Sequence, residues 1–403
     1  MSAPLAGLRV LDLSRVLAGP WASQLLADYG AEVIKIERPG AGDDTRQWGP
    51  PWLADGDGDE TAESAYFLSA NRNKKSVTVN IADAEGQKII RELAARSDIL
   101  IENFRVGALR RYGLDAGALQ SVNPALIYCS ISAYGQDGPR AGEAGYDAMI
   151  QASGGLMSIT GEPDGPPQKV GVAVADIMAG MYAVTAVLAA LHARRETGVG
   201  QHIDVPLYDT QLAWLANQAM NYFVGGDVPV RHGTAHPNIV PYQAFRTQDG
   251  YLMLAVGNDR QFAACMDCLG IGELAGDARF AVNRDRVRNR KALVSLMETV
   301  FRRRPTAEWL AMLGERGIPC GPINNLAQAF AEPQVAARNL LQELPHGLGV
   351  SVTAVANPVQ FSETPTELTH AAPLLGEHTA AVLGELLGYS QATIDELAAA
   401  GTS

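Results

Sequence analysis

The alternation of strand-like and helix-like segments over residues 8–132 is the feature of this sequence that most constrains its fold. Short runs rich in Val, Ile and Leu alternate with segments whose apolar residues recur at helical spacing. Strands joined by crossover helices form a mostly parallel open sheet with helices on its faces, so the predicted fold class is α/β. The predicted strands are 8–14, 31–39, 76–81, 98–104 and 125–132, and the predicted helices are 19–30 and 84–97.

Residues 226–325 have a different pattern. Two apolar runs flank an Asp-Gly turn within 240–258, which predicts a β-hairpin and antiparallel pairing. Helical spacing follows near 259–270 and 288–315, so we predict a smaller α+β domain here. A chain of 403 residues exceeds what a single core usually supports, so two domains, or one large domain with an insertion, are expected. The remaining segment, 326–403, is rich in helical pattern.

Composition excludes several classes of protein. A hydrophobic content of 47 % and a charged content of 19 % are typical of a soluble globular protein. The net charge of −12 argues against a nucleic-acid partner, because such proteins need basic surfaces. The N-terminal residues do not resemble a signal peptide, and the apolar segment 177–193 has the Ala-rich composition of a core helix. We therefore expect a cytoplasmic protein with no membrane partner.

A single carboxylate, Asp176, lies among small and apolar residues in GVAVADIMAG, residues 171–180. The residues up to Ala175 predict a short buried strand, and those after Asp176 predict a helix, so Asp176 is placed at a strand-to-helix junction. One interpretation is a helix N-cap that accepts hydrogen bonds from first-turn amides. The other is a reactive carboxylate that small neighbours leave open to a substrate. The two roles are compatible.

The usual nucleotide-binding and hydrolase motifs do not occur. The first predicted strand runs into SRVLAGPWAS rather than a G-x-G-x-x-G loop, and the sequence has neither a P-loop nor a G-x-S-x-G elbow. Cys265 and Cys268 form an isolated C-x-x-C without a second pair. His232 and His236 lie in a segment whose Gly and Pro favour a loop. We therefore predict no metal site.

Basic residues cluster where the predicted strands end. Guanidinium groups bind phosphate in a bidentate manner, and ammonium groups act as mobile point charges. Three such clusters at the carboxyl ends of parallel strands predict a polyphosphate ligand other than a plain dinucleotide, although each cluster alone could be a solvated surface. The clusters are Lys35 with Arg38, then Arg72, Lys74 and Lys75, then Arg105, Arg110 and Arg111.

Several segments together resemble the class III CoA-transferase family, which also contains acyl-CoA racemases. They are PLAGLRVLDLSRVLAGPWASQLLADYGAEVIKIERPGAGDDTR, NRNKKSVTVN, DILIENFRVGALRRYG, GYDAMIQASGGLM, GVAVADIMAGMYA and PLLGEHT, in this order along essentially the whole chain. The resemblance implies an interlocked homodimer. Each chain would form a Rossmann-like large domain from residues 1–225 and 326–403, with an open parallel sheet, plus a small α+β domain over 226–325. HGTAHPNIVPYQAFRTQDGYL and GIPCGPINN most resemble members that transfer CoA to dicarboxylates such as glutarate.

The resemblance also implies functional residues. Asp176 would be the nucleophile that carries CoA, as an aspartyl-CoA thioester, from an acyl-CoA such as succinyl-CoA to a small carboxylic acid. Coenzyme A is then a substrate carrier, and neither a cofactor nor a metal is expected. The residues expected to bind CoA are Val16, Ala18, Arg38, Lys75, Asn103, Phe104 and Arg111, and the candidates for holding the acceptor acid are Arg72, Tyr146, His232, His236 and Tyr242.

Two alternative functions are left open by the residues. Racemases of the family have a histidine at the position of Tyr146, and a tyrosine is a poor base near neutral pH, so epimerisation is the less favoured reaction. A non-catalytic acyl-CoA-binding protein on the same fold would have no need of Asp176. Formyl-CoA transferase-like members carry a glutamine at the position of Leu17, which argues against an oxalate-type substrate.

Overall fold

The structure is a computed structural model that describes residues 2–403. Its strands are β1 Arg9–Asp12, β2 Glu32–Glu37, β3 Trp52–Ala54, β4 Glu60–Ser64, β5 Lys74–Thr78, β6 Ile99–Glu102, β7 Ile127–Ser132, β8 His202–Pro206, β9 Tyr242–Arg246, β10 Tyr251–Ala255, β11 Cys320–Pro322, β12 Leu341–Pro345 and β13 Ser351–Val355.

The α-helices are α1 Ala18–Asp28, α2 Ala65–Ala70, α3 Ala84–Ala94, α4 Ala116–Val122, α5 Asp147–Ser153, α6 Leu156–Ile159, α7 Val174–Thr197, α8 Leu207–Trp214, α9 Ala216–Gly225, α10 Asp259–Leu269, α11 Asn283–Arg288, α12 Arg290–Phe301, α13 Thr306–Gly314, α14 Leu326–Phe330, α15 Pro333–Ala337, α16 Thr379–Leu387 and α17 Gln391–Ala399. Short 3-10 helices span Asp44–Gln47, Arg110–Tyr112 and Gly272–Gly276.

A six-stranded parallel sheet forms the centre of the larger part of the molecule. Its strand order is β5-β2-β1-β6-β7-β8, the doubly wound order in which the direction of winding reverses between β1 and β6. Val10 of β1 lies opposite Val33 of β2 on one side and opposite Ile99 of β6 on the other. Strands β6 and β7 are buried along their whole length, as expected when helices cover both faces. The predicted α/β class with a parallel sheet is confirmed.

The five strands predicted for this sheet correspond to β1, β2, β5, β6 and β7. The sequence does not predict the edge strand β8, because its five residues, HIDVP, carry too short an apolar pattern. It also does not predict the hairpins β3-β4 and β12-β13, whose strands are three to five residues long and largely exposed. Short and partly exposed strands leave little hydrophobic periodicity to detect.

Helices cover both faces of the parallel sheet. On one face, α1 and α7 pack with Val10, Ile99 and Ile127. On the other face, α3, α4, α16 and α17 pack with Leu11 and Leu100, because successive strand residues point to opposite faces. Helix α7 is long and apolar enough to cross a membrane, as the core helices of globular proteins also can be, and its Ala-rich face is buried in the first of these clusters.

The described chain divides into two compact units. The first unit, which contains the parallel sheet, comprises the residues up to Leu156 with Val170–Met220 and Gln334–Ser403. The second unit comprises Met157–Lys169 and Asn221–Pro333. The boundaries therefore fall several residues from the predicted 225/226 and 325/326. The segment 157–169 joins the second unit, where Arg231 donates hydrogen bonds to the carbonyl oxygens of Glu162 and Gly165.

The second unit is built on the antiparallel sheet β11-β10-β9, with α10, α12 and α13 packed in its core. The hairpin predicted over 240–258 is confirmed as β9 and β10, in which Tyr251 lies opposite Arg246. The helix predicted near 288–315 is interrupted, since α12 ends at Phe301 and α13 begins at Thr306. Pro305 occupies the N-cap of α13 with an extended backbone, and a proline there cannot continue the preceding helix.

Candidate active site

The carboxyl ends of β1, β6 and β7 surround a cavity of about 270 Å³, here called the Asp176 cavity. Open parallel sheets bind their ligands at this edge, next to the point where the strand order reverses. The cavity lies wholly within the first unit. Its lining includes residues 15–18, 103–106, 131–133 and 143–146, together with Asp44, Asp176 and Leu207.

Asp176 is the third residue of helix α7, which begins at Val174. The predicted buried strand up to Ala175 is wrong, because residues 171–173 are irregular and Val172 is exposed. Asp176 is also not the N-cap, a position that Ala173 occupies without a side-chain hydrogen bond. An apolar run of this length does not distinguish a strand from the approach to a helix.

The N-terminus of α7 is capped instead by Asp147, the first residue of α5. Its Oδ1 accepts a hydrogen bond from the amide of Ala175 at 2.8 Å, and its Oδ2 accepts one from Nε2 of Gln151 at 2.7 Å. A buried carboxylate that satisfies a first-turn amide stabilises a helix start. Asp147 thereby fixes the turn of α7 that carries Asp176.

The carboxylate of Asp176 is buried and unpaired. Only 8 % of the residue is exposed. The hydrogen bonds found within residues 2–403 leave its side-chain oxygens without a donor. Burial, and then the neighbouring carboxylate of Asp147, raise the pKa of Asp176 to about 7. Above that pH the group is an ionised carboxylate with no partner to weaken its nucleophilicity, placed at the wall of a cavity.

Small residues let α7 approach α1 closely. Gly180 lies one turn after Asp176, and a Cβ at this position would be 2.7 Å from the carbonyl oxygen of Ala18. A residue without a Cβ is therefore required for this packing. The close approach places Asp176 beside the turn of residues 16–18, so both line the same cavity.

The turn that follows β1 has an unusual backbone conformation. Val16 has a φ of 71°, which β-branched residues rarely adopt. Its amide donates to the carboxylate of Asp43, at 3.2 and 3.3 Å from the two oxygens. Asn103, in the turn after β6, accepts from the amide of Arg15 at 2.8 Å and donates to the carbonyl oxygen of Arg15 at 2.6 Å. The two turns are thus bonded to each other.

A second cavity of about 210 Å³, here called the Arg38 cavity, lies at the carboxyl ends of β1, β2 and β5. It shares Arg15, Asp44 and Phe104 with the Asp176 cavity, so the two are neighbours along one edge of the sheet. Apolar side chains that include Leu13 and Ile36 line it beside Arg38. The lining also includes the carboxylates of Glu37, Asp43 and Asp44. An apolar wall beside the guanidinium group of Arg38 suits a flat ring that carries a phosphate.

The structure brings most of the predicted site residues of the first unit to these two cavities. Asp176 lines the first cavity and Arg38 lines the second. The other predicted residues found in the cavity linings are Val16, Ala18, Asn103, Phe104 and Tyr146.

Three predicted basic residues line neither of the two described cavities. Arg72 is buried, with its Nη2 2.5 Å from Oδ2 of Asp28 and its Nε 3.0 Å from Oδ1. Lys75 pairs at 2.6 Å with Glu32, the first residue of β2, at the opposite edge of the sheet from the cavities. Arg111 stacks over the ring of its neighbouring tyrosine, 4.5 Å from the centroid. These residues lie outside the two described cavities, and the roles that the resemblance implies for them stay predictions.

Two further lysines of the predicted phosphate-binding clusters lie in the interior. Lys35 and Lys74 are fully buried. Lys35 is 2.9 Å from Asp43, and Lys74 is 3.3 Å from Asp12. The sequence shows that a lysine lies in or next to a strand, but it does not show which way the side chain points. A lysine in a buried ion pair and a lysine that binds a ligand therefore have the same sequence pattern.

His232, His236 and Tyr242 lie in the second unit. The rings of His236 and Tyr242 are stacked with centroids 5.2 Å apart, and the amide of His236 donates to the carbonyl oxygen of Tyr242 at 2.9 Å. Burial, assisted by the charge of Arg290, lowers the pKa of both histidines. They are therefore neutral hydrogen-bonding groups at pH 7, and their part in acceptor binding stays a prediction.

The residues that hold this site in shape could not be identified from the sequence. Asp147 caps α7, and Glu102 accepts from the amide of Phe104 at 2.8 Å. Arg15 bridges both cavities and pairs with Asp44 at 3.0 Å. The one available signal was the position of Asp147 directly after Tyr146, in a motif already noted. The contacts of Asp147 with α7 and of Arg15 with Asp44 join residues distant in the chain.

The arrangement suits the transfer of an acyl group from a long, phosphate-bearing carrier. An unpaired carboxylate lies in one cavity and a guanidinium group in the next, so a single extended ligand can place a reactive carbonyl at Asp176 and a charged end at Arg38. The uncapped first turn of α1 lines the same cavity through Ala18 and offers amides to a developing oxyanion.

Comparison with known proteins agrees with this chemistry. The family model described as CoA-transferase family III matches residues 5–379. The chain is 48 % identical over 383 residues to a succinate–glutarate CoA-transferase of Agrobacterium fabrum, across 95 % of this chain and 96 % of that protein. It is 46 % identical over 398 residues to the human succinyl-CoA:glutarate CoA-transferase, across 99 % of this chain and 89 % of the human protein.

Solved structures give the same result. A CaiB/BaiF family protein from Brucella suis is 49 % identical with a TM-score of 0.84, and the match covers 96 % of this chain and 100 % of that one. Rv3272 from Mycobacterium tuberculosis is 32 % identical with a TM-score of 0.83, and the match covers 94 % and 99 %. Because the family model, the relatives and the solved structures match nearly the whole chain, this protein belongs to CoA-transferase family III.

Proposed function

We propose that this enzyme transfers CoA from succinyl-CoA to a dicarboxylic acid such as glutarate, with Asp176 as the covalent carrier. The observation that carries the proposal is the buried, unpaired carboxylate of Asp176 in a cavity at the switch point of the sheet. The names of the relatives from Agrobacterium fabrum and from human, at 48 % and 46 % identity, support this choice of donor and acceptor.

The reaction exchanges one thioester for another and is therefore nearly isoenergetic. The Asp176 carboxylate attacks the thioester carbonyl of succinyl-CoA, and CoA leaves as a thiolate, which gives a mixed anhydride. The thiolate then attacks the aspartyl carbonyl, so succinate leaves and an aspartyl-CoA thioester remains. The acceptor carboxylate attacks this thioester, and the released thiolate attacks the acceptor carbonyl of the new anhydride. Glutaryl-CoA leaves, and Asp176 returns as a carboxylate without any cofactor.

A direct exchange assay tests this function. Purified enzyme is incubated with succinyl-CoA and glutarate, and the CoA products are read by mass spectrometry. We expect glutaryl-CoA and free succinate in equal amounts, with no net hydrolysis. Racemisation of a 2-methylacyl-CoA, measured in parallel, is expected to be absent because Tyr146 lines the cavity where a basic side chain would be needed. If glutaryl-CoA forms no faster with the enzyme than in a control without it, the proposal is refuted.

The CoA moiety is proposed to lie along the sheet edge, with its adenosine phosphate end at Arg38 and its thioester at Asp176. Arg38→Ala is then expected to raise KM for every acyl-CoA by about 10- to 100-fold, since a charge-assisted hydrogen bond contributes about 1.5–3 kcal/mol. Steady-state kinetics with two acyl-CoA donors measures this. Arg111→Ala and Lys75→Ala are the matched variants, because neither residue lines either of the two described cavities. An equal rise of KM in those variants would favour the roles implied by the family resemblance.

The pH dependence provides a separate prediction. Asp176 must be ionised to attack, and its pKa is raised to about 7, so kcat/KM is expected to rise with pH through about 7. Asp147→Asn removes the neighbouring charge that contributes to this rise, so the midpoint is expected to move to lower pH. Asp98→Asn is the control, because Asp98 pairs with Arg194 in the last turn of the same helix. A midpoint unchanged by Asp147→Asn would show that another group controls the profile.

We also propose that the enzyme functions as a homodimer. Apolar side chains on the helices around the site are exposed in the single chain, among them Met149, Met181, Tyr182, Leu188 and Leu212. Exposed apolar residues grouped on neighbouring helices are typical of protein–protein interfaces. The interlocked dimer implied by the family resemblance would cover such a surface. A monomeric mass in multi-angle light scattering at micromolar concentration would contradict this.

A further inference from the structure

The buried pair of Lys35 and Asp43 lies beneath the turn that connects β1 to α1. Both side chains are fully inaccessible, and Nζ of Lys35 is 2.9 Å from Oδ2 of Asp43. Lys35 also donates to the carbonyl oxygen of Ser14 at 2.9 Å. On the other side, the carboxylate of Asp43 accepts from the amide of Val16. The pair therefore holds the chain on both sides of Arg15.

Val16 is the residue of this turn that most needs support. Its φ of 71° places a β-branched side chain in the left-handed region, where such residues are rare outliers. Backbone outliers of this kind persist only where the surroundings over-determine them, and they cluster at functional sites. Here the conformation directs Leu17 and Ala18 into the lining of the Asp176 cavity, where the first turn of α1 begins.

The charges of the pair are permanent over the working range of the enzyme. Burial alone would raise the pKa of Asp43, but the charge of Lys35 and hydrogen bonds from Thr45 outweigh it and lower the pKa to about 2. Burial alone would lower the pKa of Lys35, but Asp43, Asp12 and Glu37 outweigh it in the other direction. The amide of Asp43 is itself fixed by Glu37, at 2.9 Å from Oε2.

We propose that Lys35 and Asp43 are positioning residues of the acyl transfer, whose ion pair holds Val16 in its left-handed conformation and so fixes the backbone of residues 16–18 opposite Asp176. The kinetic test of this role rests on the proposed function, because it measures CoA transfer, whereas the hydrogen-exchange test does not. A displacement of this backbone by about 1 Å is enough to reduce turnover by about 100-fold.

Three variants separate the two functions of Asp43. Asp43→Asn keeps an oxygen for the amide of Val16 but loses the ion pair, and Asp43→Ala loses both. We expect kcat to fall by about 10-fold in the first and about 100-fold in the second, with smaller changes in KM. The double variant Lys35→Met with Asp43→Asn removes both charges of the pair, so neither is left buried without a partner. It is the variant to measure if either single variant does not fold.

Asp28→Asn is the matched control for a lost buried ion pair. Asp28 pairs with Arg72 at 2.5 Å in the same unit, and neither residue lines a described cavity. We expect Asp28→Asn to lower Tm about as much as Asp43→Asn does, with kcat within about threefold of wild type. If both variants lose Tm and kcat to the same extent, the role of Asp43 is only structural and the proposal is overturned.

Glycine at position 16 gives the sharpest test. Glycine adopts a positive φ without strain, so Val16→Gly should make the turn less dependent on the ion pair. In the Asp43→Asn background, adding Val16→Gly is expected to raise kcat at least threefold. In the Asp28→Asn background, the same addition should not raise kcat. Equal effects in both backgrounds would overturn the proposal.

Hydrogen–deuterium exchange of the peptide that spans residues 13–18 provides a readout that needs no turnover. The amide of Val16 is expected to exchange at least 10-fold faster in Asp43→Ala than in wild type, and unchanged in Asp28→Asn. If wild type transfers no CoA but this difference is found, the proposed function fails while the positioning role holds. Unchanged exchange in Asp43→Ala would overturn the positioning role even in an active enzyme.

Discussion

Replacing Asp176 with alanine is expected to lower kcat for the transfer of CoA from succinyl-CoA to glutarate by at least about four orders of magnitude, because removal of a covalent nucleophile leaves only substrate binding. Incubation of wild type with succinyl-CoA followed by hydroxylamine should convert Asp176 to a hydroxamate, seen by mass spectrometry of the peptide. Asp176→Asn should give neither turnover nor hydroxamate. A variant without this carboxylate that retains a tenth of wild-type activity would contradict the covalent mechanism.

Asp176→Asn should also stabilise the fold above neutral pH. A measurement of stability therefore separates loss of chemistry from loss of structure. Burial and Asp147 raise the pKa of Asp176 from 3.8 to about 7, so the folded state favours the protonated form. This contribution to stability is complete below pH 3.8 and is lost as pH rises through about 7. At pH 8, Asp176→Asn is therefore expected to raise the free energy of unfolding by at most about 4 kcal/mol, measured by urea denaturation. A lower stability at pH 8 would contradict this.

Dicarboxylates are expected to be far better acceptors than monocarboxylates of the same length. A glutarate molecule with one carboxylate at the aspartyl thioester has a second carboxylate in the cavity, and leaving that charge buried and unpaired would cost several kcal/mol. Arg15 and Arg105 supply cations in the described lining of the Asp176 cavity. We expect kcat/KM for glutarate to exceed that for valerate by about 100-fold or more, measured with succinyl-CoA as donor.

Arg105→Met is the variant that locates the distal subsite. Arg105 lines the Asp176 cavity, and one of its nitrogens donates to the carbonyl oxygen of Gly142 at 3.1 Å. We expect the variant to lose preference for glutarate over valerate by at least 10-fold, while its KM for succinyl-CoA changes less. His236→Ala tests the contribution predicted for the second unit. If valerate is used as well as glutarate by wild type, no distal subsite exists, and CoA transfer to monocarboxylates is the better description.

The parallel sheet and the nucleophile could be predicted because each depends on local sequence. The runs that form β1, β2 and β6 each contain two or three Val, Ile or Leu residues that pack in the sheet, and the spacing between the runs leaves room for crossover helices. Asp176 was identifiable because an isolated acid among small residues is unusual before a long apolar helix. The family resemblance added its role. The start of α7 could not be placed, because the same residues suit a strand.

The supporting charges could not be predicted, because their roles depend on contacts between distant segments. In the sequence, Lys35 and Lys74 belong to clusters of basic residues that are typical of phosphate-binding sites. In the structure, each is buried in an ion pair, Lys35 with Asp43 and Lys74 with Asp12. Arg72 is likewise held by Asp28, 44 residues earlier in the chain. A basic residue at a strand end has the same one-dimensional pattern whether it faces a ligand or an internal carboxylate. Whether the residue faces a ligand or an internal carboxylate is decided by the register of β2 with β5 and by the position of the loops that follow these strands.

The path of the chain through the first unit determines the order in which the protein can be completed during synthesis. The helices α16 and α17 contribute Val382, Leu383 and Ile394 to the apolar cluster that covers one face of the parallel sheet. The ribosome releases these residues only after the whole second unit has been made. A nascent chain that already contains β1 to β8 therefore has α3 and α4 on that face, but the part that α16 and α17 cover stays exposed until they are made. Translation arrest before residue 379 would leave a chain that carries Asp176 but has one face of its sheet only partly covered, a form that chaperones bind and proteases remove.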